Sequence, residues 1–260
     1  MSNVQSRLES VSQNGYNYRL GDYISQGFSL FGKNAGMFIG YVVIYSVISF
    51  GLAVIPLLGQ ITSLLISSTL TAGFYIVAHQ TFENKHTEFS NFFDGFKQWS
   101  QLFVVGLLGA LLVILAMIPA IVYIISAIGF SGLAEAGEYD GALSLMAGVN
   151  LLIFFILILF GAIVAILFVY APLFVLFDNL SPVDAIKASA KVVSKNILMH
   201  VLFGIVWGII LFISVLPLFL GLLVTVPAYF CSIYAAWRDI TKYNSEDAKD
   251  DDEILRHLID

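Results

Sequence analysis

Four stretches of this chain, residues 34–82, 98–134, 141–177 and 196–237, contain no Asp, Glu, Lys or Arg. Charged residues make up only 12% of the 260 positions and mean hydropathy is +0.90, whereas a soluble domain carries about 25% charge. No soluble core hides that much apolar surface, so a water-soluble fold is excluded. Cysteine is almost absent. The lone Cys231 rules out an intramolecular disulfide and a cysteine metal pair, and it reads as a small packing residue within an apolar stretch. Catalytic signatures are missing as well: there is no Gly-x-Ser-x-Gly, no Gly-x-x-x-x-Gly-Lys-Ser/Thr and no His-Glu-x-x-His. His79, His86, His200 and His257 are scattered without ligand spacing. No catalytic residue, metal site or cofactor is therefore expected, because such chemistry needs carboxylates and histidines converging in one pocket. No ionisable group lies at mid-span, which argues against proton coupling. The net charge of −6 accompanies no nucleic-acid motif, and no nucleic-acid partner is expected.

What the chain does have is length in its apolar runs. A spanning helix needs about 20 apolar residues, so 34–82 and 196–237 each hold two and the other two runs one apiece. Turns at Pro56-Leu57-Leu58-Gly59-Gln60 and at Pro217 divide the double runs. The expected fold is an all-α polytopic membrane protein with six transmembrane helices, at about 36–57, 60–82, 101–127, 148–176, 197–216 and 218–237. Threaded this way, all twelve Lys and Arg residues fall on one side, which the positive-inside rule makes cytoplasmic, with both termini. The outer loop, 129–147, carries Glu135, Glu138 and Asp140 and no basic residue. The first 33 residues lack the pattern of a cleavable signal peptide, so the N-terminus is expected to be retained. Three regions result: a polar N-terminal segment 1–19, a six-span domain 20–240 and an acidic cytoplasmic tail 241–260.

The domain repeats itself. At an offset of 162 positions, Asp22-Tyr-Ile24 and Lys33-Asn34 align with Asp184-Ala-Ile186 and Lys195-Asn196, and Met37 with Met199. A weaker third copy starts at Asp94-Gly-Phe96-Lys97. The unit is one short amphipathic interfacial helix followed by two spans, covering about 20–82, 90–177 and 181–240. In the clearest copy, Ser181 reads as a helix N-cap, Pro182 as the first helical residue and Asp184 as an acid facing unpaired amides. Val183, Ile186, Ala190, Val193 and Ile197 form its expected apolar face, and Ile24, Phe28, Phe31 and Ala35 that of the first copy. Lys187, Lys191 and Lys195 recur every four residues on another face.

The pattern Asp178-Asn-Leu-Ser181-Pro182-Val-Asp184-Ala-Ile186 to Lys195-Asn196, followed by a paired span holding Pro227 and Tyr234 before Arg238, resembles the integral-membrane domain fused to some glycerophosphodiester phosphodiesterases and related bacterial six-span proteins. The resemblance runs from about Leu20 to Ile240. It implies a bacterial inner-membrane location. In that group the hydrolytic chemistry belongs to a separate soluble barrel, and nothing here is long enough to be one.

The residues singled out for function are therefore few. Lys187, Lys191, Lys195 and Lys33 are expected to contact anionic headgroups, each contributing about 1 kcal/mol near such a surface. Asp22, Asn34, Asp94, Ser181, Pro182, Asp184, Asn196 and Pro227 form the structural motif. Thr62, Ser63, Ser67, Ser68, Thr69 and Thr71 crowd the second span, either as close-packing residues or as a polar path. Gly36-x-x-x-Gly40 and Gly204-x-x-x-Gly208 suit helix packing within one chain or a homo-oligomer. Pro119, Pro172 and Pro227 are expected to kink their spans. Ile254, Leu255, Leu258 and Ile259 give the tail a face for a protein partner. The function expected is that of a non-enzymatic structural or accessory envelope component; the alternative is a small-molecule or lipid transporter with a path between the repeated units. A cysteine introduced at Ser144 is expected to label from outside intact cells, and one at Asn244 only after permeabilisation; the opposite pattern inverts the topology.

Overall fold

A computed structural model describes the backbone of residues 2–55, 58–134 and 151–243, and the side chains of 4–52, 54–55, 66–126 and 152–243. Among the described residues all regular structure is helical. The helices are α1 (Ser2–Asn14), α2 (Leu20–Lys33), α3 (Ala35–Ala53), α4 (Leu58–Phe82), a 3-10 helix (Phe89–Gln98), α5 (Trp99–Ala134), α6 (Leu151–Leu167), α7 (Ala171–Asp178), α8 (Pro182–Ser194), α9 (Ile197–Val215) and α10 (Leu222–Ile240). Four segments are long and apolar enough to cross a membrane: Ala35–Leu52, Phe89–Ser126, Leu152–Asp178 and Ile197–Val215. They keep most of their apolar side chains on the outside, as Phe50 at 75% and Phe212 at 72% exposure illustrate. Such surfaces are compatible with hydrocarbon around them.

The chain divides into two units. One contains residues up to 107 and from 167 onward, the other 108–166. In the smaller unit α5, with Pro119 inside it, approaches α6 where a Cβ on Gly161 would stand 2.2 Å from Met117 Sδ. Most of its described side chains are apolar and outward-facing, among them Ile125 and Leu152.

In the larger unit α10 is the hub, touched by α2, α3, α4 and α9. It is the most thoroughly buried helix, holding Thr225, Ala228, Cys231, Ser232, Tyr234 and Trp237 inside. Helix α2 lies against it closely enough that a Cβ on Gly27 would meet Ser232 Oγ at 1.8 Å and the Ala228 carbonyl oxygen at 2.5 Å. Pro227 sits within α10, as expected from the sequence, and Pro119 within α5.

Four sequence expectations are revised. The span expected at 148–176 is broken by a turn at 168–170, and Pro172 opens the new helix α7 instead of kinking an old one. The break is held from a distance: Ser189 Oγ donates to the Leu167 carbonyl at 2.7 Å and accepts from the Tyr170 amide at 3.1 Å. The last span starts later, since Leu216 to Gly221 form a turn in which Leu218 and Phe219 adopt left-handed φ of 51° and 65°. Gly221 is required there, because a Cβ would stand 2.7 Å from the Ser214 carbonyl oxygen. Helix α5 runs on to Ala134, so the first residues assigned to the outer loop are helical. Residues 135–150 of that loop, and the tail from 244, lie outside the described residues.

The fourth revision concerns the amphipathic faces. The buried side of α8 is Ala185, Ala188, Ser189, Val192 and Val193, while Val183 is 50% exposed. The buried side of α2 is Tyr23, Gly27, Leu30 and Phe31. On α8 the buried set is small, which lets neighbouring helices approach closely, whereas on α2 large Tyr23, Leu30 and Phe31 are buried around Gly27. At the 162-residue offset the two faces coincide, position 23 on 185, 27 on 189, 30 on 192 and 31 on 193. Both helices also end at an Asn of matching backbone, Asn34 at φ −134°, ψ 35° and Asn196 at φ −146°, ψ 50°. The third interfacial segment differs, being a 3-10 helix closed by a capping box between Glu88 and Asn91 that runs into α5 without an Asn break.

Gly27→Val is expected to lower stability by about 1–3 kcal/mol through overpacking. Thermal unfolding of the detergent-solubilised protein reads it, with Gly32→Val, where a Cβ meets nothing within 4 Å, as the control that leaves the midpoint in place.

Candidate functional site: a basic groove on an interfacial helix

Helix α8 starts as its sequence dictates. Ser181 caps it, accepting from the Asp184 amide at 3.3 Å, and its own hydroxyl donates to Asp184 Oδ2 at 2.6 Å. The small face of α8 turns inward, which leaves Lys187, Lys191 and Lys195 exposed. Lys187 and Lys191, together with Asp184, Ala188 and Leu180, form one side of a groove of about 280 Å³. Its other side is Val4, Gln5 and Leu8 of α1. The groove thus pairs two ammonium groups and one carboxylate with a wall of two apolar side chains and the Gln5 amide. Lys195 is not part of it, and Lys33 lines a separate depression on α2.

The participation of α1 had no signal in a reading by apolar runs. Arg7 of α1 pairs with Asp178 at the end of α7, both almost fully buried. The same guanidinium donates to the Thr241 carbonyl at 3.3 Å and lies 5.4 Å from the Tyr243 ring centre. Tyr16, just past α1, donates to the Val192 carbonyl at 3.0 Å. An isolated Arg in a polar segment and an isolated Asp after an apolar run were the only traces in the sequence.

The remaining polar side chains bind helix ends to one another. Arg19 pairs with Asp239, which also accepts from the Tyr23 hydroxyl at 2.6 Å. The Asp239 carboxylate raises the Arg19 guanidinium further above its ordinary range. Asp22 stands 3.9 Å from Arg19, and Asp94 accepts from Lys97 at 2.6 Å. Asn34 donates to Thr81 Oγ1 at 2.8 Å. Asn196 offers its carbonyl to His200 Nδ1 at 3.0 Å, so the neutral ring carries its proton there and Nε2 accepts from the Tyr170 hydroxyl at 3.1 Å. His79 Nδ1 meets the Tyr234 hydroxyl at 2.8 Å. Arg238 lies 3.8 Å above the Phe82 ring and 3.9 Å from Glu83.

The hydroxyl-rich α4 is engaged in packing over its described part. Ser68 faces α5 so closely that a Cβ on Gly106 would fall 2.0 Å from its Oγ. Thr69 is 1% exposed, and its carbonyl would stand 2.7 Å from a Cβ on Gly95. Ser67 and Thr71 are half-buried. The side chains of Thr62 and Ser63 lie outside the described residues. Among the described residues no three His, Cys, Asp or Glu side chains are grouped to hold a metal ion.

A family model described as a domain of unknown function (DUF7847) matches residues 20–241. The chain belongs to the DUF7847 family. No curated protein and no solved structure matches it. The DUF7847 region opens on the first residue of α2 and closes just past α10, so α1 stands outside the matched region although it supplies one wall of the groove.

Asp178→Ala removes the carboxylate that pairs with the buried Arg7, and loss of one partner of such a pair costs about 3–5 kcal/mol. The expected outcome is faster amide exchange throughout Ser2–Asn14 with exchange in α10 unchanged, read by hydrogen–deuterium exchange of the purified protein.

Proposed function

We propose that this DUF7847 protein is a non-enzymatic integral protein of the bacterial inner membrane that holds anionic lipid headgroups on its interfacial helix α8 and acts as a structural or accessory component of the envelope. The observation that carries this reading is the groove of about 280 Å³ with Lys187 and Lys191 on one side and Val4 and Leu8 on the other. A phosphate ester there would meet two ammonium groups, while the apolar wall would receive the first methylenes of its chains. The Ser181 hydroxyl already occupies one oxygen of Asp184, which softens that residue's opposition to an anion.

In this reading the membrane is crossed six times, by the four apolar segments described above and by α4 and α10. Both termini lie in the cytoplasm, the side where short basic loops are retained. The interfacial helix with its two spans is an internal repeat, supported by the coincident buried positions of α2 and α8. The kinship to the membrane domain of glycerophosphodiester phosphodiesterases is proposed on the motif from Asp178 to Asn196. The close seating of Ser68 on Gly106 favours packing as the role of the α4 hydroxyls. The tail beyond Tyr243 is proposed as the contact for a protein partner, and the Gly36 and Gly204 motifs as the contact for a second copy.

Replacing Lys187, Lys191 and Lys195 together by Gln is expected to weaken retention of anionic lipid by about 1 kcal/mol per lysine, or roughly fivefold each. Native mass spectrometry with phosphatidylglycerol measures it. Unchanged retention reduces the lysines to topology signals and removes the reading.

A further inference from the structure

We propose a second phosphate-ester site, on α2, as the counterpart of the groove on α8; it rests on the reading of that first groove as a headgroup seat. A depression of about 250 Å³ is lined by Gln26, Ser29, Leu30, Lys33 and Phe82. Gln26, Ser29 or Leu30, and Lys33 follow one another at helical spacing, so one side of α2 presents an amide, a hydroxyl and an ammonium in a row. None of the lining residues is acidic.

The position on the helix overlaps that of the first groove by one turn. Subtracting the 162-residue offset from Ala188 and Lys191, two lining residues of the first groove, gives 26 and 29, two lining residues of the second. Helices α2 and α8 therefore bury matching faces and leave matching faces beside open grooves. The chemistry is shifted by one turn: the cation stands at Lys33 in place of the residue matching Lys191, which is Ser29.

Lys33 is available. Its Nζ donates to Asn84 Oδ1 at a long 3.4 Å, which holds the ammonium over the depression without consuming its other donors. Phe82 contributes a ring with the Arg238 guanidinium 3.8 Å from its centre. That guanidinium is itself shared between Glu83, at 3.9 Å, and the Tyr234 hydroxyl. An anion at this place is therefore favoured by one direct cation, the Lys33 ammonium, with no acidic residue in the lining to oppose it. The ester oxygens would take the Lys33 ammonium, and a polar substituent such as glycerol would exchange hydrogen bonds with Gln26 and Ser29. The ligand class is a phosphate monoester or diester, free or at the head of a lipid.

The test uses the full chain in detergent, with native mass spectrometry after addition of phosphatidylglycerol or phosphatidylcholine. Wild type is expected to retain two phosphatidylglycerol molecules, Lys33→Gln one, the Lys187→Gln/Lys191→Gln protein one, and the triple variant none. Lys33→Arg keeps the charge and is expected to restore two, which separates lost binding from lost folding. If Lys33→Gln still retains two while the α8 variant retains one, the second site is overturned and the first reading stands. If Lys33→Gln drops to one while the α8 variant keeps two, the first reading fails and the second site stands. Retention of phosphatidylcholine equal to phosphatidylglycerol overturns anion recognition at both. Added glycerol 1-phosphate that displaces one lipid from wild type but none from Lys33→Gln assigns a free ester to the site, and absence of displacement assigns a lipid headgroup.

Discussion

The close approach of α2 to α10 at Gly27 is the contact on which the larger unit depends. With no side chain at Gly27, α2 rests on the Ser232 hydroxyl and the Ala228 carbonyl, and the Ser232 hydroxyl in turn donates to that carbonyl at 2.9 Å. Ala228 follows Pro227, the residue whose missing amide leaves the local backbone short of one hydrogen bond. The seat thus lies on the turn of α10 that directly follows its proline. From it follow the placement of Tyr23 against Asp239 and of Lys33 beside the end of α4.

Charge and geometry are tied together by the same economy. A charged group in hydrocarbon is costly, so the ionic side chains gather where helices begin and end and pair there across long stretches of sequence. Arg7 meets Asp178, Arg19 meets Asp239 and Arg238 approaches Glu83. The three exposed lysines of α8 are different in kind. They are held by the capping and packing of their helix and have no ion-pair partner among the described residues, which leaves their charge directed outward.

Composition made the apolar helices legible, because a run without charge reports its solvent directly. Capping made the start of α8 legible down to the residue, since Ser181, Pro182 and Asp184 act through their immediate neighbours. The break at 168–170 was not legible: its residues, Phe168, Val169 and Tyr170, are those of an uninterrupted span, and the hydroxyl that stabilises the break comes from Ser189, about twenty residues on. The expected faces of α2 and α8 shared only Phe31 and Val193 with the buried ones, because Tyr23, Gly27 and Ser189 are not marked as core by apolar spacing. Of the candidate site, the lysines were visible through their four-residue spacing. The wall opposite them was not, because α1 is held by an ion pair between residues 171 positions apart.

The turn joining α9 to α10 has a mechanical consequence. Leu216, Leu218, Phe219 and Leu220 are each more than 60% exposed, and Leu216 to Gly221 include no polar side chain. In the topology proposed above, a hairpin tip of this composition has nothing to fasten it to the far headgroup layer, whereas the opposite end carries Arg238 and Asp239 and the ion pair to Arg19. The hairpin is thus moored at one end only. In a bilayer a few ångströms thicker or thinner, its tip would change depth within the hydrocarbon instead of stretching or tilting the helices, so lipid thickness would be absorbed there and not transmitted to the basic grooves at the moored end.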